Sequence, residues 1–321
     1  MTSVTRRLED FFFAPASECW LRLLRIGSAL QVICYCLTSW LDWRHLFADD
    51  ESGLAGRGVS ELFLSGRTAL TPRLGWMIDL AVFLHLRETF VLPFLGIVLF
   101  VAGLSLLAGL FCRESALVAW FIHLGSVKSA GLTSYGMDNL TTIALFYLAI
   151  APLPDGWSLD ATFRKIPLRD PARHGFHRRL LQLHLCLIYF FSGITKALGP
   201  AWWNGESVWR ALIRPPFNLI SPQLLSSYSA ILPIAGIAVV ILEMGYPVCI
   251  WPKHTRHIWL GAIIAMHVGI AATMGLYLFG LIMVTLNISA FGPELRRASR
   301  KQLPAADGCD SARRSTAISP I

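Results

Sequence analysis

Runs of apolar residues long enough to cross a bilayer recur along this chain, separated by short charged or proline-containing breaks. A helix needs about 20 such residues, at about 1.5 Å of rise each, to span the hydrocarbon core. The first run is Trp20 to Leu41 and the second Phe90 to Phe111. After the turn "CRES" comes a third, Ala116 to about Gly131. Met137 to Leu153, Leu180 to Leu198 and Ala230 to Trp251 follow. The last stretch, Ile258 to Phe291, is too long for one upright span and divides near "TMGLY". The pattern predicts an all-α, polytopic integral membrane bundle of about eight transmembrane helices. It divides the chain into an interfacial segment over 1–17, a membrane domain over 18–294 and a polar, disordered tail over 295–321.

Composition agrees with a membrane class. The chain of 321 residues is 55% hydrophobic and 15% charged, whereas soluble domains carry about 25% charge. Its net charge of +8 would suggest nucleic acid in a soluble protein. Here the excess falls in short loops and tails beside apolar runs, so the bilayer is the expected partner and nucleic acid is not. The seven cysteines show no Cys-x-x-Cys or Cys/His spacing and read as small buried hydrophobes, with no metal expected. No phosphate loop, nucleophile elbow, zinc-protease motif or dinucleotide fingerprint is present. Arg6 and Arg7 precede the first run without a cleavage site after it, which reads as a retained anchor.

Basic residues supply the orientation. Arg164, Lys165, Arg169, Arg173, Arg178 and Arg179 lie between the fourth and fifth runs. Lys253 and Arg256 follow the sixth, and Arg296, Arg297, Arg300 and Lys301 follow the last. With eight spans these segments and the N-terminus all fall in the cytoplasm. In a bacterium the host would be the inner membrane. Two larger segments, Asp42 to Thr89 and Gly199 to Ser229, then face outward, and the first has room for a short amphipathic helix.

Ionisable groups inside spans cost several kcal/mol unless paired, so they are the first candidates for function. Lys196 ends the fifth run, Glu243 lies in "VVILEMGYP", His267 in "IIAMHVGIA", and Asp138 opens the fourth run. Counting from the inner ends places Lys196 about 25 Å up and Glu243 and His267 about 12–15 Å up. That depth predicts a Glu243–His267 pair beneath a cavity faced by Lys196 and Asp138. Tyr189, Ser192, Gly193 and Lys196 share one helix face. Plainer roles stay open for each: a lysine reaching for headgroups, a packing pair, a helix cap at Asp138, an interfacial belt for the tryptophans and a boundary anchor at Arg25.

"YFFSGITKALGPAWWNG" resembles a segment of the vitamin K-dependent gamma-carboxylases and of the wider HTTM (horizontally transferred transmembrane) family. Tyr189, Gly193, Lys196, Trp203 (or its neighbour Trp202) and Gly205 fit that pattern. "FFFAPASECWLRLLRIGSAL" is similar to the family's N-terminal portion and includes Arg25, while "DNLTTIALFYLAIAPL", "LEMGYP" and "MHVGIAATMGLYLFGLIM" resemble its later helices. In the carboxylases the lysine matching Lys196 deprotonates vitamin K hydroquinone; oxygenation then yields a strong base that removes a proton from a glutamate side chain, and carbon dioxide adds. A lysine serves as a base near neutral pH only where its surroundings favour the neutral amine, as burial does. The resemblance thus implies Lys196 as the base, and His267, Glu243 and Asp138 are read beside it as polar supports in the candidate catalytic set. Tyr189, Ser192, Trp203, Asn204 and Arg25 become substrate contacts, with a reduced quinone as the implied cofactor. The chain departs from the carboxylases at Thr195, where they have a second lysine, and at Asp138 or Asn139, where they have a histidine. Two function classes follow: a carboxylase- or lyase-like membrane enzyme acting on a quinone or lipid, or a non-enzymatic carrier or accessory and immunity-type factor for a secreted peptide.

Overall fold

The computed structural model describes residues 3–48, 57–65, 68, 70–164 and 170–293, and all regular structure among them is helical. The expected tail over 295–321 lies outside the described residues, as do Lys165, Arg169 and the four tail cations.

A short helix, α1 (Ser3–Phe12), precedes the bundle. The long helices follow the apolar runs: α2 (Cys19–Ser39), α6 (Glu88–Ala108), α7 (Cys112–Ala130) and α8 (Gly136–Ile150), then α10 (Pro171–Ala197), α14 (Ile231–Cys249), α15 (Lys253–Met274) and α16 (Tyr277–Phe291). Five of these, α2, α6, α10, α14 and α15, are long and apolar enough to cross a membrane. α8 and α16 are shorter apolar helices. The break expected near "TMGLY" falls at Gly275, whose φ of 71° is left-handed and ends α15.

α2 and α16 pack against each other at the centre. α6 and α8 lie against α2, α7 bridges those two, and α10, α14 and α15 complete the side around α16. Apolar lipid tails give helices no hydrophobic reason to associate, so packing and polar contacts hold such a bundle. Polar locks are present at several crossings. Gln31 Nε2 donates to Thr141 Oγ1 at 3.1 Å, joining α2 to α8. Trp43 Nε1 donates to the Leu92 carbonyl at 2.9 Å. Arg25 is 1% exposed. Its Nε donates to Asp155 Oδ2 at 2.6 Å, and a terminal nitrogen donates to the Leu106 and Leu107 carbonyls at 2.6 and 3.0 Å.

Two sequence expectations need correction. The fifth run begins nine residues earlier than its hydropathy indicates, at Pro171, because Asp170 caps the backbone N–H of Ala172 and proline suits the first turn. Its added turns carry Arg178, whose Nε donates to the Ala290 carbonyl at 2.8 Å, and Gln182, whose Nε2 donates to the same oxygen at 2.7 Å. Those donors satisfy the free carbonyl end of α16. Arg178 is therefore a buried clamp and not a loop cation. Among its described residues the first large connecting segment holds three helices instead of one: α3 (Trp43–Phe47), α4 (Arg57–Ser65) and α5 (Leu74–Phe83). The second holds α11 (Pro200–Trp203), α12 (Glu206–Ile213) and α13 (Pro222–Ser227). A further connecting helix, α9 (Leu159–Arg164), follows α8.

Candidate functional site

The last turns of α10 lie very close to α14. A Cβ on Gly193 would stand 2.7 Å from the Met244 nitrogen and 3.1 Å from the Glu243 carbonyl carbon, so only glycine permits this crossing. One turn further along α10, Lys196 Nζ donates to Glu243 Oε2 at 2.6 Å and to Ser192 Oγ at 2.5 Å. It also lies 5.3 Å from the centre of the Trp202 ring, within cation–π range. The carboxylate is more enclosed than the ammonium, with side-chain exposures of 8% and 20%.

Behind this pair runs a second polar chain. Tyr189 Oη is 2.9 Å from His267 Nε2. Asn287 Nδ2 donates to Tyr189 Oη at 2.8 Å, and Tyr246 Oη donates to Asn287 Oδ1 at 2.7 Å. The Tyr189 and Tyr246 ring centres lie 4.1 Å apart with the planes tilted by 32°, and Phe279 meets the His267 ring edge-on at 5.5 Å. α10, α14, α15 and α16 each contribute one member, so the chain also fixes the mutual rotation of those four helices.

Both groups border a cavity of about 710 Å³ between α8, α10, α14, α15 and α16, lined also by residues of α11 and α12. Ile143, Val239, Ile270 and Met283 represent its mostly apolar walls. Lys196, Glu243, Tyr189 and His267 give it one polar flank, and Asn139 of α8 adds an amide. Such a volume suits a small amphipathic molecule. From α12, Val208, Ala211 and Leu212 face the cavity. Gly205, at a left-handed φ of 82°, turns the chain from α11 into that helix.

The structure thus brings together Lys196, Glu243, His267, Tyr189 and Ser192. It does not form the expected Glu243–His267 pair: Glu243 takes Lys196, and His267 takes Tyr189. Depth counting assumed upright helices, whereas the Gly193 crossing sets the shared height of α10 and α14. Asp138 lies elsewhere. Its Oδ2 accepts the Tyr135 backbone N–H at 2.8 Å in a capping box, and it borders a separate pocket of about 220 Å³. Trp203 Nε1 donates to the Ala197 carbonyl at 2.8 Å, and Asn204 Oδ1 accepts the Glu206 N–H at 3.0 Å. Neither lines the cavity; Trp202 does. Arg25 serves the Asp155 lock and does not border the cavity either. The sequence pattern does not mark Asn287 or Tyr246 as site residues, whereas Asn139 is the alternative to Asp138 at the position where the carboxylases have a histidine. The available signal was a neutral amide, Asn287, within "MVTLNISAF" and a tyrosine three residues after Glu243.

The family model described as the HTTM domain matches residues 80–293, a range that contains every residue lining the cavity. No curated protein and no solved structure matches the chain.

Proposed function

This chain belongs to the HTTM domain family of membrane proteins, and from that premise we propose that it is a membrane enzyme whose cavity takes a quinone-like or lipid substrate, with Lys196 as the base. The observation that carries this reading is an ion pair set in the wall of an otherwise apolar cavity. Apolar walls suit the body of an amphiphile, and the Lys196–Glu243 flank suits a hydroxyl at its polar end. A reduced quinone, when bound, would supply an acidic hydroxyl and an oxidisable ring. The protein's share is proton handling. Lys196 Nζ donates to Glu243 Oε2 at 2.6 Å, a path along which a proton can pass between the two. When that proton lies on Glu243, Nζ is a neutral amine and accepts the hydroxyl proton of the substrate, leaving an oxyanion beside a restored ammonium. Ser192 keeps Nζ oriented during the exchange.

The ion pair also favours a second reading, a non-enzymatic carrier or peptide-accessory factor in which Lys196 is a binding group already satisfied by Glu243. Arginine separates the two, because it retains the charge and the pair but stays protonated. Wild-type protein purified from its native membrane into nanodiscs is expected to carry a co-extracted amphiphile, identified by mass spectrometry, and to convert it. Lys196→Arg is expected to fold, retain the amphiphile and leave it unchanged. Conversion by the arginine variant would rule out Lys196 as the base, whereas an amphiphile retained but converted by neither protein would support the second reading. Absence of any amphiphile from both proteins would overturn the cavity as a substrate site.

A further inference from the structure

The smaller pocket, at Asp138, lies apart from the Lys196 cavity. It measures about 220 Å³ and sits where the ends of α2 and α7 meet α3 and the starts of α8 and α16. It opens at a polar mouth, where Thr38, Thr133 and Tyr135 are exposed. Phe47, Val127 and Leu278 give it apolar walls. The ring of Tyr35, which also lines it, meets those of Trp43 and His123 edge-on. Tyr35 is 7% exposed, and its hydroxyl bonds to no described residue, yet that hydroxyl is not shut off from open space. Buried hydroxyls are ordinarily paired, so this one is free for a partner from outside the chain.

Charge decides what that partner is. Asp138 borders the same pocket, is 5% exposed and forms no ion pair among the described residues. The Tyr135 N–H and the N-terminus of α8 favour its carboxylate form. A helix end supplies only about half a unit of positive charge, so net negative charge remains at the pocket. That charge reaches the Tyr35 hydroxyl. It draws the hydroxyl hydrogen toward the carboxylate and leaves the oxygen lone pairs for a ligand. Thr38, Thr133 and Ser134 give their hydrogens to the Cys34, Ala130 and Gly131 carbonyls, so they too present lone pairs. The ligand must therefore be a donor and a cation. A bare metal ion matches poorly, since no group of three His, Cys, Asp or Glu side chains gathers among the described residues, and apolar walls offer it no ligands. A protonated amine brings N–H donors, and its carbon part suits those walls.

We propose that this pocket binds a small primary ammonium group, which donates to Tyr35 Oη within the field of Asp138. A free alkylamine and the ethanolamine headgroup of a lipid both carry such a group. The site does not rest on the Lys196 cavity or on any enzymatic role.

Binding of radiolabelled propylamine near neutral pH tests it, with full-length protein in phosphatidylcholine nanodiscs and empty nanodiscs as the baseline. Saturable binding at one site per chain is expected, displaced by ethanolamine but not by 1-propanol or potassium. Asp138→Asn should weaken it about tenfold or more. Tyr35→Phe keeps the ring and should weaken it about three- to tenfold; it decides the matter even where Asp138→Asn, lacking its cap, fails to fold. Nanodiscs containing phosphatidylethanolamine separate the two sources: loss of propylamine binding there assigns the pocket to the lipid headgroup, and unchanged binding assigns it to a free amine. No saturable binding up to millimolar propylamine, displacement by 1-propanol or potassium as effective as by ethanolamine, or wild-type affinity in Tyr35→Phe would overturn the proposal.

Discussion

At Lys196 an ammonium and a carboxylate meet at 2.6 Å with only partial access to water. Each stays tolerable because of the other, so removing one should do more harm than removing both. Glu243→Gln and Lys196→Met are each expected to destabilise the protein by about 2–3 kcal/mol, below the full penalty for a buried pair because Lys196 keeps some solvent contact. The double variant Lys196→Met/Glu243→Met should recover most of that loss. Combined with His267→Gln, Glu243→Gln should couple less strongly than the Lys196–Glu243 cycle, since Glu243 bonds Lys196 and His267 bonds Tyr189. Unfolding in detergent measures both cycles; a strong Glu243–His267 coupling and none to Lys196 would contradict the geometry. Lys196, Glu243 and His267 were visible in the sequence because ionisable side chains are costly in apolar runs. Their partners were not visible, since pairing depends on where two helices cross. Asn287 escaped notice because a neutral amide in an apolar run gives a weaker signal, although it ties Tyr189 to Tyr246.

Among the helices, α10 and α15 set the shape of the site in opposite ways. α10 must approach α14 closely at Gly193, whereas α15 stands back at Gly269, where an added Cβ would meet nothing within 4 Å. Gly269 borders the cavity, so its missing side chain is space left for a ligand. Gly269→Leu should fill that space without a clash. Replacing glycine in a helix gains up to about 1 kcal/mol of propensity, so the thermal midpoint should hold or rise while the co-purifying amphiphile disappears. A variant that still carries the molecule in wild-type amount would show that it binds elsewhere. The helices themselves were legible from hydropathy, including the break at Gly275, because each apolar run has few alternatives to a helix in a bilayer. Hydropathy places the start of α10 too late, because it marks where lipid begins, whereas Asp170–Pro171 marks where the helix begins. The connecting helices α3, α4 and α5 leave little trace in the hydropathy pattern, since segments this short give it little to average.

Across the described residues, contacts bring α1, the start of α10, the α14–α15 turn and the end of α16 together at one end. Arg179 Nε donates to the Phe11 carbonyl, and its guanidinium lies over the Phe11 and Trp251 rings at 4.3 and 5.0 Å. That joins α1, the start of α10 and the α14–α15 turn. Arg178 adds the end of α16, and the Ala16 N–H donates to the Pro171 carbonyl, adding the approach to α2. Lys196 and the α11–α12 segment lie at the far end of α10 from these groups. Lysine and arginine are retained in the cytoplasm during insertion, so this end, with both termini, is expected inside and the α11–α12 segment outside. The seven native cysteines are first removed; single cysteines then report sidedness to a membrane-impermeant maleimide in intact cells. Tyr228→Cys, at a position 59% exposed beside α13, should react from outside. Arg169→Cys and Ser315→Cys should react only after the membrane is opened. Outside labelling at either of the latter would invert the bundle, and any substrate would then have to enter the cavity from the cytoplasm.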